Sequence, residues 1–175
     1  YMGGNNVTYN NKTGAFSVNG DYPEIQLINQ VFIDTGRFIN HNDIDQSRKV
    51  AIIGKRVADV LFEGQACLGK YIKINGVYFQ VVGRFHTNKS GDQAERDEQT
   101  IFIPFTTFQR AFNMGNKIAW FALTCKPNSS GTVVESKIRT VLSRKYQVHP
   151  DDDRAFGSFN ADEKFSSMEM VFKAV

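Results

Sequence analysis

The sequence predicts an α+β domain, and three observations lead there. Strand patterns flank Asn75-Gly76 between Tyr71 and Val82, which is the signature of a β-hairpin. Two short apolar runs, Lys49–Gly54 and Ile101–Pro104, stop at Gly54 and Pro104, and each is followed by a helical pattern. The later chain carries helix-start signals at Thr132-Val133-Val134-Glu135 and Asn160-Ala161-Asp162-Glu163.

The elements follow in chain order. The Asn- and Gly-rich opening, Tyr1 to Asn19, holds short strands at Val7–Tyr9 and Ala15–Val18 and offers little core. Asp21-Tyr22-Pro23-Glu24 reads as a helix start with Asp21 as N-cap and an acidic first turn. Gln30–Asp34 is β-branched and apolar enough for a strand, which Gly36 ends. Lys49–Gly54 suits a buried strand. Lys55–Phe62 then sets Val57, Ala58, Leu61 and Phe62 on one helical face, with Gly64 as terminator. In the hairpin, a type I′ turn requires positive φ at both central residues, which Asn and Gly tolerate. That turn places Ile74 opposite Val77 and Ile72 opposite Phe79 on one face, leaving Tyr71, Lys73, Tyr78 and Gln80 on the other.

Residues 84–99 read as a long polar loop, and a loop of that length in a compact domain is functional or disordered. Beyond it, Ile101–Pro104 reads as a strand. Thr106–Phe112 reads as a short helix with Phe108, Ala111 and Phe112 on one side, and Ile118–Cys125 as a strand. The T-x-x-E box opens a helix with Val134, Ile138, Val141 and Leu142 on one face. After Asn160, the residues Phe165, Met168, Val171, Phe172 and Val175 repeat at helical spacing. That stripe suits a terminal helix docked on the domain or a stalk continuing into a membrane helix. The chain opens at Tyr1 and stops at Val175 inside this pattern, so it reads as a piece of something larger.

Composition narrows the classes. Of 175 residues, 41% are hydrophobic and 22% charged, enough apolar content for one or two cores. No run reaches the roughly 18 apolar residues of a membrane helix. Net charge is +3 without a Lys/Arg run interleaved with aromatics, which argues against a nucleic-acid partner. His41, His86 and His149 lack a second His or Cys at a ligand spacing, so no metal and no cofactor are expected. Asp151-Asp152-Asp153 lacks the spaced ligands and central Gly of a calcium loop. With no nucleophile elbow, Walker motif or zinc-protease motif, no catalytic residue is assigned and the chain is not expected to be an enzyme. Cys67 and Cys125 read as one bridge in an oxidising compartment or as two small buried hydrophobes.

At Gly36 a family pattern begins. Gly36-Arg37-Phe38-Ile39, then Asn42-Asp43-Ile44, resembles the "GRF…D" element of MacB-like periplasmic core domains, the extracytoplasmic domains of MacB/FtsX-like ABC-transporter permeases. Further elements follow in family order: Val50–Gly54, Val57-Ala58, Leu61-Phe62, Leu68-Gly69-Lys70, Ile72–Gly76, Phe79–Gly83, Ile101–Pro104 and Thr107-Phe108-Gln109. Tyr146-Gln147-Val148 through Phe156 resembles the segment leading back to the second membrane helix, so coverage runs from about Asp21 to the C-terminus.

The resemblance implies a porter-like α/β subdomain built from both chain ends, residues 1–45 and 112–175. A β-rich subdomain with the hairpin and a short helix is inserted at residues 46–111. It implies a periplasmic or extracellular location as part of an integral membrane protein. The implied role is to transmit ATP-driven motion and contact an adaptor or cargo. Implied partners are an ABC ATPase reached through the membrane helices, a permease dimer partner and a periplasmic adaptor. The alternative from the residues is a free-standing secreted domain that binds carbohydrate or peptide. Gly36, Arg37, Phe38, Gly54, Phe62, Gly69, Gly76, Gly83 and Pro104 are expected as fold markers, with Arg37 in a structural ion pair. Lys89, Asp92, Glu95 and Arg96, in the polar stretch, are the candidate partner contacts.

Overall fold

The computed structural model describes residues 2–118, 120–126, 129–149, 152 and 154–161. Two compact units lie within residues 1–122 and 123–175. The first contains β1 (Met2–Tyr9), β2 (Lys12–Asp21), α1 (Ile25–Ile28), β3 (Val31–Gly36), α2 (His41–Asp45), β4 (Val50–Gly54) and α3 (Lys55–Phe62). It continues with β5 (Tyr71–Ile74), β6 (Val77–Thr87), α4 (Asp92–Glu98), β7 (Thr100–Pro104) and α5 (Phe105–Ala111). Mixed helices and strands make it an α+β fold.

The strands form one sheet in the order β3-β6-β4-β7-β2-β1-β5, and β5 also pairs with β6. Six strands therefore close into a ring, with β3 added on the far half of β6. The 11-residue β6 makes this closure possible. Its first residues ladder with β5, from Val77 opposite Ile74 to Gln80 opposite Tyr71. Its later residues ladder with β4 and β3. The pairs β2–β7 and β4–β6 are parallel and the rest antiparallel. Strands from the expected outer segment (β1 to β3) and from the expected insert (β4 to β7) share this one sheet.

Two apolar clusters explain the sequence patterns. One is built from Val7, Val18, Ile53, Ile72, Phe79, Ile101 and Ile103 and sealed by Val57, Leu61 and Phe62 of α3. The other joins Ile52, Phe85 and Phe102 to Ile25, Phe38, Ile39 and Ile44. Neighbouring residues of β4 and β7 thus enter opposite clusters, as the two-residue period of a strand requires. Both faces are covered, so both strands read as unbroken apolar runs.

The hairpin has the expected register, with Ile74 opposite Val77 and Ile72 opposite Phe79. Its turn residues have φ of 44° at Asn75 and 92° at Gly76. Asn75 also ties the turn to β1, its N–H donating to the Asn6 carbonyl at 3.0 Å. Gly76→Val should cost about 1–2 kcal/mol, because a β-branched residue resists that φ although its Cβ would meet open space. Urea unfolding measures this, and an unchanged midpoint would count against the I′ turn.

Several expectations need correction. The Asn-rich opening does supply core, since Val7 and Val18 are fully buried and Phe16 nearly so. The helix after Asp21 is a single turn with Glu24 as N-cap, and Asp21 ends β2. Residues 84–99 are not one loop, and only 88–91 and 99 connect regular elements. Arg84–Thr87 complete β6, with Phe85 and Thr87 buried between half-exposed Arg84 and His86, and Asp92–Glu98 form α4. The described residues of 118–125 form no strand, because β propensity needs a ladder partner and none pairs with them.

In the second unit, α6 (Gly131–Tyr146) has Ser130 as N-cap with no side-chain cap bond, so Thr132 is not a capping residue. Glu135 instead accepts hydrogen bonds from Ser158 and, at 3.1 Å, from Asn160. The Ser158 bond holds the Glu135 carboxyl below its ordinary pKa. Of the expected face, Val134, Ile138 and Leu142 are half-buried and Val141 is exposed. The expected stripe from Phe165 to Val175 lies outside the described residues.

Candidate functional site

The Gly36–Asp43 segment is built around one buried carboxylate. Gly36 ends β3 at φ 79°, and a Cβ there would sit 2.2 Å from the Val82 carbonyl. This close approach lets the Arg37 N–H donate to that carbonyl at 2.9 Å. Gly83 leaves room from the other side, since a Cβ on it would lie 2.1 Å from the Arg37 carbonyl. Two glycines thus let two backbones touch where a side chain would part them.

From this crossing Arg37 reaches Asp43 with both terminal nitrogens, at 2.5 and 3.0 Å. Asp43 is wholly buried, while the Arg37 side chain is 40% exposed. Asn40 and Asp43 form a reciprocal capping box at the start of α2. Arg48 adds a second cation at 3.7 Å. Burial alone would raise the Asp43 pKa. The hydrogen bonds from Arg37 and the Asn40 N–H, with the charges of Arg37 and Arg48, outweigh it and hold the carboxyl below its ordinary range. Arg37 is therefore a structural ion-pair partner, as expected from sequence. Phe38 is buried beside it and meets Phe102 edge to face at 5.6 Å.

The remaining markers sit at junctions. Gly54 ends β4 and caps α3, where a Cβ would lie 2.1 Å from the Glu98 carbonyl of α4. Phe62 ends α3 and packs on Tyr9 at 4.3 Å. Gly69, at φ 77°, donates to the Val81 carbonyl at 2.8 Å. Pro104 ends β7 and precedes α5.

Lys89, Asp92, Glu95 and Arg96 come together on α4 and its approach, and all four are exposed. Lys89 pairs with Asp97 at 2.6 Å, and Glu95 with Arg56 of α3 at 3.4 Å. Helix α4 has no fully buried side chain. Its Glu98 end backs onto Gly54 of β4, and Asp92, Glu95 and Arg96 face outward. Among the described residues no three His, Cys, Asp or Glu side chains gather as metal ligands do. Cys67 is buried, whereas Cys125 is exposed and so is no buried hydrophobe.

Sequence reasoning missed a cavity of about 250 Å³ at the end of β2, lined by Asn19, Asp21, Phe105, Phe108, Lys117 and Trp120 among others. Burial pushes the Asp21 pKa up to about 6. A carboxylate whose pKa is raised by folding destabilises the fold above that pKa. Wild-type stability should fall as pH rises from about 4 to about 6 on this account. Asp21→Asn should remove the cost, raising stability at pH 7 by about 1–2 kcal/mol, trimmed by the residual exposure of Asp21, with no gain below about pH 4. Urea unfolding at both pH values checks this, and an equal gain at each would contradict it.

A protein-family model described as "MacB-like periplasmic core domain" matches residues 1–141. A macrolide export ATP-binding/permease protein MacB of Marinobacter nauticus is 28% identical over 105 residues, 60% of this chain and 16% of that protein. The MacB of Bdellovibrio bacteriovorus is 24% identical over 155 residues, 88% of this chain and 24% of that protein. The chain thus spans a quarter or less of these relatives' length. Among solved structures, the periplasmic region of MacB from Actinobacillus actinomycetemcomitans superposes with a TM-score of 0.71 at 19% identity, covering 94% of this chain and 71% of that one. The extracellular domain of the ABC-type transporter YknZ superposes at 0.65 with 17% identity, covering 83% and 73% respectively. These two likenesses concern the fold.

Proposed function

The chain belongs to the family of MacB-like periplasmic core domains, and on that premise we propose that it is the extracytoplasmic domain of an ABC-transporter permease, passing ATP-driven motion to an adaptor or cargo without chemistry of its own. The family match over residues 1–141 carries this reading. The curated relatives named above join ATP-binding and permease functions in one protein, which supports an ATPase acting on this chain across a membrane. No described helix is long and apolar enough to cross a membrane.

Two structural features support the role. A closed ring of strands, hydrogen-bonded all round, suits a body that passes displacement on without absorbing it. The charged α4 offers an exposed, fixed surface on which a partner's charges can be matched. Lys89, Asp92, Glu95 and Arg96 are its contact residues in this reading. A homodimeric or related heterodimeric permease would present two such surfaces.

The test uses the full-length transporter in membranes. A flexible Gly-Ser segment inserted directly after residue 175 should uncouple ATP hydrolysis from export while leaving folding and basal hydrolysis largely intact. Export at the wild-type level after that insertion would overturn the transmission role.

A further inference from the structure

Asp21 and Asn19 stand two residues apart on β2, so they share a face of the strand. Both line the cavity at its end. Asp21 Oδ2 and Asn19 Oδ1 are buried, and neither has a hydrogen-bond partner. Among the described residues no Lys, Arg or His side chain forms an ion pair with Asp21, and the positive charge that acts on it, that of the chain's terminal ammonium, does not offset its burial. Buried acceptors in folded proteins are nearly always bonded, and a buried carboxylate without a cation is costly. Two unmet acceptors side by side call for a group with several N–H donors and a positive charge.

The other walls narrow the chemistry. Phe105, Phe108, Met114 and Trp120 contribute rings and a thioether and give the cavity an apolar lining. Ring faces accept a cation as well as a hydrocarbon body. An anion would meet the Asp21 carboxylate.

We propose that this cavity binds a small amphipathic organic ammonium ion, whose N–H groups donate to Asp21 and Asn19 and whose apolar body rests on Phe105, Phe108, Met114 and Trp120. Lys117 also lines the cavity. Its ammonium repels such a ligand and weakens binding without defining it.

Trp120 is the single tryptophan of the chain, so its fluorescence reports the site directly. The probe is phenethylamine, with 2-phenylethanol as its uncharged counterpart, titrated into the 175-residue chain at pH 7.5. Phenethylamine should give a saturable change in Trp120 emission, and 2-phenylethanol should bind at least about 10-fold more weakly. Asp21→Asn should lose the same factor while its unfolding curve shows an intact fold. Lys117→Met should bind as tightly as wild type or more tightly. Absence of saturation, equal binding of the alcohol, full affinity in Asp21→Asn, or loss of binding in Lys117→Met would each overturn the proposal.

Discussion

Replacing Arg37 by Met should cost the first unit about 3 kcal/mol at neutral pH. Asp43 is the reason. Its side chain is entirely buried, and Arg37 supplies the close bidentate partner. Met keeps much of the arginine stem's packing but leaves an ionised carboxylate with only the Asn40 N–H at 3.1 Å and the Arg48 guanidinium at 3.7 Å. Removing one partner of a buried pair costs far more than the pair itself contributes. The pH dependence separates this from lost packing. Folding lowers the Asp43 pKa from its ordinary 3.8, so the stabilisation is present above that value and fades as pH falls through the depressed one. The gap between wild type and Arg37→Met should therefore narrow in acid, and packing loss would leave it constant. The double variant Arg37→Met/Asp43→Asn should be less damaged than the sum of the singles. Urea unfolding at neutral and acidic pH gives all three results.

The second large effect is expected at Gly54. A Cβ there would lie 2.1 Å from the Glu98 carbonyl and 2.8 Å from its Cα, so α4 would have to shift off β4. Gly54→Ala should cost about 2–3 kcal/mol. Gly69→Ala is the control: its φ is 77° but its Cβ would enter open space, so only about 1 kcal/mol of backbone strain is expected. Hydrogen exchange should also quicken at α4 amides in Gly54→Ala and not in Gly69→Ala. Equal behaviour of the two variants would show that α4 does not depend on this contact.

The features legible in the sequence were those set by local chemistry. Asn75-Gly76 specified its turn, and the alternation on both sides agreed with the turn's register. The runs Val50–Gly54 and Thr100–Pro104 could be read because both faces of those strands are covered. The ring closure was not legible. It depends on β1 meeting β5 and β2 meeting β7, pairings between residues far apart in the chain. Helix α4 escaped because it buries no side chain and so leaves no apolar period. The end of β6 escaped because Arg84 and His86 masked the alternation with Phe85. At the site, the resemblance singled out Gly36, Arg37 and Asp43 together. The two backbone crossings that hold them in place became visible only in three dimensions. Asp21 carried a misleading local signal, since an Asp before Pro23-Glu24 reads as a cap, whereas it ends a strand beside a cavity.

The most direct measurement of the extracytoplasmic role uses a residue the chain already has. Cys125 is exposed, and Cys67 is buried with its thiol pKa pushed up by that burial. A membrane-impermeant maleimide should therefore distinguish them. In spheroplasts of cells carrying the full-length parent protein, the reagent should modify Cys125 without permeabilisation. Cys125→Ser should lose that adduct, and Cys67 should react only after denaturation. An adduct at Cys125 that forms only after the membrane is broken would place this domain on the cytoplasmic side and contradict the account.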